Sequence, residues 1–116
     1  MKFRFQDLQI WQSAIEILDE LLEIADLLED KKYFRFAEQL RAAAMSISNN
    51  IAEGSGSSSN KDFCNFLNFA HRSAFEVANI LIILNRKNIL TLESLNELLE
   101  KLDKECRMIT SFKKSL

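Results

Sequence analysis

The sequence predicts an all-α protein, one up-and-down antiparallel four-helix bundle occupying residues 1–116. Three observations carry this. Proline is absent and glycine occurs only at Gly54 and Gly56, so the residues that punctuate a chain are nearly missing. Apolar side chains make up 47% of the residues, enough to close one core in a domain of this size without disulfides or metals. Those apolar residues recur at steps of three and four through four long segments, the spacing that lines up one face of a helix.

The first helix is expected over 7–28, with the Asp7 carboxylate as N-cap. Leu8, Trp11, Ile15, Leu18, Leu22 and Ala25 form one seam. Ile10, Ala14, Ile17, Leu21, Ile24 and Leu28 form a second beside it, an apolar arc wider than one core face usually needs. The second helix is expected over 33–53 on the seam Phe36, Leu40, Ala43, Ile47 and Ile51. Ala42, Ala43, Ala44, Ser46 and Ser48 are small enough to let a neighbour approach closely. Gly54 suits the position just past the helix end, where positive φ is common. Residues 54–59, Gly-Ser-Gly-Ser-Ser-Ser, read as a loop too short to link domains.

The third helix is expected over 60–86, opened by Ser59 and Asp62 in a variant of the capping box. Its first seam is Phe63, Leu67, Ala70, Ala74, Val77, Leu81 and Leu84, and its second is Phe66, Phe69, Ser73, Glu76, Ile80 and Ile83. The fourth helix is expected over 92–112 with Thr91 as cap, on Leu92, Leu95, Leu99, Leu102, Cys106 and Ile109. Short connections force each helix antiparallel to the one before. Facing residues of the second and third helices should then have numbers summing to about 112, which sets Ala43 near Phe69 and Ile47 near Phe66.

Charge and composition narrow the function classes. The net charge is −2 and the sequence pI is about 5.4, far from the basic footprint of a typical nucleic-acid binder. Residues 5–30 hold eight acids and no base, against fifteen bases and nine acids elsewhere. This is either a solvated acidic face or one half of an acidic-to-basic contact between copies. Two cysteines, Cys64 and Cys106, suggest free thiols in a reducing compartment. The longest apolar run, Ile80 to Leu84, falls far below the roughly 20 residues of a membrane span. A cytoplasmic location with no membrane contact is expected.

No catalytic motif emerges. His71 is the only histidine and has no ligand-type partner one turn away, so neither metal nor cofactor is expected. Gly54-Ser55-Gly56 lacks the lysine of a phosphate loop. Glu76 interrupts an apolar seam. It reads either as a buried ion pair with Arg72, Arg41 or Arg35, or as a ligand or partner contact. Glu53 reads as loop architecture, a carboxylate reaching toward the start of the third helix. Asn49 and Asn50 beside it either bond the loop or face a partner. The candidate phosphate contacts are Arg41, Lys61, Arg72, Lys104 and Arg107. For the bases of the fourth helix, Lys101, Lys104, Arg107, Lys113 and Lys114, a solvated face shared with Asp103 and Glu105 is the competing reading.

Asp7-Leu8-x-x-Trp11-x-x-Ala14, Gln39-Leu40-Arg41-Ala42-Ala43 and Ser46-Ile47-x-x-Asn50-Ile51-Ala52-Glu53-Gly54 together resemble the bacterial 23S rRNA-intervening-sequence proteins. Phe63-x-x-Phe66-Leu67-x-x-Ala70 and Ser73-x-x-Glu76 continue the pattern. Asn50, Glu53, Gly54 and Glu76 are thus its motif residues. Ala42 stands where the family often has a second arginine, and Arg72 where it often has glycine. The resemblance implies a left-handed bundle assembling as a homopentamer. It also implies kinship in architecture with accessory proteins of diversity-generating retroelements, which bind nucleic acid and a reverse transcriptase.

The sequence therefore points to a non-enzymatic oligomeric scaffold associated with RNA or a ribonucleoprotein, or alternatively to a protein–protein adaptor. The surplus seams name Ile10, Ile17, Ile24, Phe66 and Phe69 as interface candidates. Glutamate at 17 and 24 is then expected to split the ring and leave the helices intact.

Overall fold

The computed structural model describes every residue from 1 to 116. A 3-10 turn, Arg4–Asp7, precedes four helices: α1 (Gln9–Asp30), α2 (Phe34–Ser55), α3 (Asn60–Arg86) and α4 (Leu92–Lys114). Each helix packs on its chain neighbours, α4 returns to α1, and the backbones of the diagonal pairs stay apart. That is the square of an up-and-down bundle. Its length of 44 Å matches α3, since 27 residues rise roughly 40 Å at helical pitch. No helix is long and apolar enough to cross a membrane.

The helix starts follow local chemistry. Ser59 Oγ accepts from the Asp62 N–H at 3.2 Å, and Thr91 Oγ1 accepts from the Ser94 N–H at 3.2 Å. Both are the expected N-caps. Asp7 is not a cap. It closes the 3-10 turn, and its carboxylate pairs with Lys2 at 3.0 Å, while Leu8 holds the N-cap position without a side-chain bond.

The stops reverse an expectation about glycine. The left-handed residues are Lys32, φ 69°, and Asn88, φ 61°. After α1, the Tyr33 N–H reaches the Leu28 carbonyl and the Lys32 N–H the Glu29 carbonyl. After α3, Ile89 reaches Leu84 and Asn88 reaches Asn85 in the same way. These are paired Schellman closures at one end of the bundle. Gly54 lies inside α2 with ordinary φ. A Cβ there would stand 2.7 Å from Phe66 Cβ and 2.9 Å from Phe63 Cδ1. The missing side chain is therefore a condition of close α2–α3 packing. Because α2 continues through Gly54 and Ser55, the turn moves outward and the register changes with it. Ser46 faces Ser73 and Gly54 faces Phe66, displaced about two helical turns from the expected pairing.

The core corrects the seams. In α3 the whole first seam is buried, as expected, and Ile80 and Ser73 join it. In α1 the buried residues are Ile10, Ala14, Ile17, Leu18, Leu21, Ala25 and Leu28. Leu8, Trp11, Ile15 and Leu22 are half-buried beside them. The second seam is thus the main core face and the first its flank. The reason is geometric: α1 meets both α2 and α4, so its arc spans two neighbours. Ile10 and Ile17, each 3% exposed, are unavailable to another copy, and glutamate at 17 would unfold the chain rather than divide an assembly. Ile24 is half-buried near the Lys31 end of the bundle. In α4 the core takes Leu95, Leu98, Leu102, Glu105 and Ile109, while Leu92 is exposed and Leu99 and Cys106 are half-buried.

The acidic face of α1 acts partly within the chain. Arg41 of α2 holds Asp26 at 2.8 Å and Glu29 at 2.9 Å, and Lys101 of α4 holds Glu20 at 2.7 Å. Helix α1 is thereby clasped from both sides.

Candidate functional site

Polar side chains converge on the outer flank of the α2–α3 seam. Ser46 and Asn50 from α2 and Phe69, Arg72, Ser73 and Glu76 from α3 line an open cleft of about 480 Å³. On α3 these four are spaced by three, one and three residues, which places them on one flank of the helix. Small residues are required at the floor, because α2 and α3 run close together through Gly54, and serine is small enough to fit.

The floor is a closed hydrogen-bond chain. Asn50 Nδ2 donates to the Ser46 carbonyl at 2.8 Å and to Ser46 Oγ at 3.0 Å. Ser46 Oγ and Ser73 Oγ lie 2.8 Å apart, and Ser73 Oγ donates to the Phe69 carbonyl at 3.0 Å. Since the Ser73 proton goes to Phe69, Ser46 donates to Ser73. Every amide and hydroxyl proton of the three side chains is then used, leaving Asn50 Oδ1 as an unmet acceptor. Above this floor, Phe69 is 47% exposed and packs edge-on to Phe66 with centroids 6.2 Å apart. Arg72 and Glu76 are exposed and make no ion pair, with each other or with Arg41. The expected buried pair at Glu76 does not form, because its flank of α3 faces solvent rather than the core. The cleft offers an aromatic face, a guanidinium, a carboxylate and an amide oxygen, all free to meet a ligand.

The remaining candidates do not gather there. Arg41 is occupied by Asp26 and Glu29, which also hold its guanidinium firmly protonated through their hydrogen bonds. Lys61 is exposed at the start of α3. Lys104 and Arg107 share a surface of α4, where Arg107 pairs with Asp103 at 3.2 Å. The five bases are therefore spread over several surfaces instead of forming one patch, with Lys104 and Arg107 alone sharing one. Glu53 is exposed at the end of α2, Gly54 holds the helix crossing, and Phe66 is half-buried against that crossing.

A second, apolar groove of about 550 Å³ runs between α3 and α4, with Ala74, Phe75, Ala78, Leu99 and Cys106 among its walls and His71 at its rim. Phe75 is 63% and Ile82 42% exposed along this flank. Burial raises the Cys106 thiol to about 11, with Glu105 and Asp103 adding to the effect, so it stays protonated and unreactive near neutrality. No group of three His, Cys, Asp or Glu side chains is placed to hold a metal ion.

The residue that sequence reasoning missed is Glu105. It is 0% exposed, and neither carboxyl oxygen has a hydrogen-bond partner. Burial raises it to about 7; the Ser13 hydroxyl opposes this from a geometry short of a full bond. The signal was present: Glu105 continues the spacing Leu95, Leu98, Leu102, Ile109, hidden behind the neighbouring row through Leu99 and Cys106.

Residues 6–111 match the model of the family described as 23S rRNA-intervening sequence protein. The chain belongs to that family. It is also similar to a solved structure, that of a protein of unknown function from the S23 ribosomal protein family of Bacteroides thetaiotaomicron VPI-5482. The TM-score is 0.86 at 24% identity, covering 90% of this chain and 95% of that one; the likeness is one of fold. A comparison with curated proteins gives no match. In this member of the 23S rRNA-intervening sequence family, motif residues Asn50 and Glu76 meet in the α2–α3 cleft, and Gly54 sets the helix approach that forms its floor.

Proposed function

We propose that this protein is a non-enzymatic homo-oligomeric scaffold, favoured as a pentamer by its family resemblance, that associates with RNA or a ribonucleoprotein. The observation that carries the RNA contact is the α2–α3 cleft. There an exposed aromatic ring stands beside an unpaired guanidinium over a fixed polar floor. Unstacked bases of single-stranded RNA stack on such rings and on arginine planes, and their edges meet carboxylate and amide groups. The apolar flank of α3 at Phe75 and Ile82 takes the place of Ile10 and Ile17 as the surface offered to another copy.

A fluorescently labelled structured RNA with single-stranded loops tests the reading. Binding should appear at low salt and weaken as salt rises, because phosphate contacts release counterions. Phe69→Ala with Arg72→Ala should reduce affinity at least tenfold while helical circular dichroism is unchanged. No binding by the intact wild-type protein at low ionic strength rejects RNA association. The adaptor reading then stands, favoured by the net charge of −2 and the dispersal of the bases.

A further inference from the structure

The geometry points to α4 as the releasable helix of the bundle, with protonation of Glu105 controlling its docking. Glu105 lies wholly inside the protein, on the core row of α4, with both oxygens unpartnered. A neutral carboxyl tolerates that place; a carboxylate without donors is strongly disfavoured there.

The packing shows which element can respond. Helix α2 lies closest to both α1 and α3, with Ala37, Ala43, Ala44, Gly54 and Ala70 buried among these three helices. Helix α4 brings leucines to its seams and lies less closely on α1 and α3 than α2 does on either. Grooves of about 550 Å³ on its α3 side and about 570 Å³ on its α1 side flank it. One ion pair, Lys101–Glu20, ties it to the rest.

No charged group compensates Glu105 from either packed neighbour. On α1, Ser13 is the group that faces it; Glu16 and Asp19 are exposed, and Glu20 is engaged with Lys101. On α3, Lys61, Asp62, Arg72, Glu76 and Arg86 are exposed, while Cys64 is half-buried and His71 sits at the groove rim. On α4, Lys101, Asp103, Lys104 and Arg107 are exposed, and the half-buried Cys106 is protonated. With burial as the dominant influence, Glu105 holds its proton to about pH 7. Near neutrality, then, α4 is docked in its neutral form and loosened on ionisation.

Hydrogen exchange on the full-length protein at pH 6 and pH 8, corrected for intrinsic rates, tests this. Protection of Leu98–Ile109 should fall about tenfold from pH 6 to pH 8, as linkage to a carboxyl near pH 7 requires, and should stay below that of the α2 and α3 core at both pH values, since α4 opens before the rest. The fall should vanish in Glu105→Gln, in which His71 is retained. Equal protection of Leu98–Ile109 at both pH values, protection of α4 equal to that of the α2 and α3 core, or persistence of the fall in Glu105→Gln overturns the proposal. Should Glu105→Gln fail to fold, carbon-13 titration of the wild-type Glu105 carboxyl decides. A midpoint near 7 supports the switch, and a midpoint in the surface-glutamate range rejects it.

Discussion

Ionising Glu105 places a charge among Leu98, Leu102 and Ile109 of its own helix, where neither oxygen finds a donor. The unfolded chain releases this proton at the ordinary 4.5, the folded chain at about 7. Between those values the folded state binds more protons, so stability falls as pH rises and levels off above 7. The shift corresponds to about 3 kcal/mol. Urea denaturation of Glu105→Leu should show this slope removed and the variant about 3 kcal/mol more stable than wild type at pH 8. Wild type and variant changing in parallel from pH 5 to 8 would show that Glu105 is not the source. A second residue, Lys32, carries a lysine in the left-handed region at φ 69°. Glycine removes the Cβ conflict there without losing the Leu28 and Glu29 closures, which are made by backbone groups. Lys32→Gly should raise stability by about 1 kcal/mol, measured as a higher urea midpoint at constant m-value.

Between elements, the α2–α3 crossing fixes most of the architecture. Alanine in place of Gly54 would gain about 1 kcal/mol of helix propensity, but its Cβ would meet Phe66 Cβ at 2.7 Å. That neighbour is anchored directly to its backbone and cannot rotate away. Overpacking of this kind costs about 1–3 kcal/mol, so Gly54→Ala should lower stability overall by about 1 kcal/mol. A more stable Gly54→Ala protein in the same urea experiment would mean that the helices separate easily at this crossing. The same contact bears on the cleft: pushing α2 away from α3 there would strain the Ser46–Ser73 bond of 2.8 Å.

For the whole molecule, the question is where apolar surface remains once the monomer core is closed. Phe75 and Ile82, on the α3–α4 flank, are 63% and 42% exposed beside an apolar groove. Such surface favours burial against another copy. Light scattering coupled to size exclusion should therefore give a multiple of the 13.4 kDa chain mass at micromolar concentration. Phe75→Glu with Ile82→Glu should return it to one chain with the helical signal intact, since neither side chain belongs to the core. A wild-type mass of one chain would reject self-assembly.

The sequence by itself determined the helix count, their limits to within a few residues, the caps at Ser59 and Thr91, and the core row of α3. These follow from local spacing and short-range hydrogen bonds, which a linear reading contains. Only the tertiary structure decided which of two adjacent apolar rows of α1 and α4 faces inward. A rotation of one position about a helix axis leaves the sequence period unchanged, and the neighbours select the rotation. The same holds for charge. Glu76 looked buried by its row and is exposed, while Glu105 looked external and is enclosed. Gly54 gave a clear composition signal, but its role depends on a ring and a Cβ from another helix. The cleft of Ser46, Asn50, Phe69, Arg72, Ser73 and Glu76 was legible only in fragments, because its register rests on where α2 stops and how closely α3 then approaches.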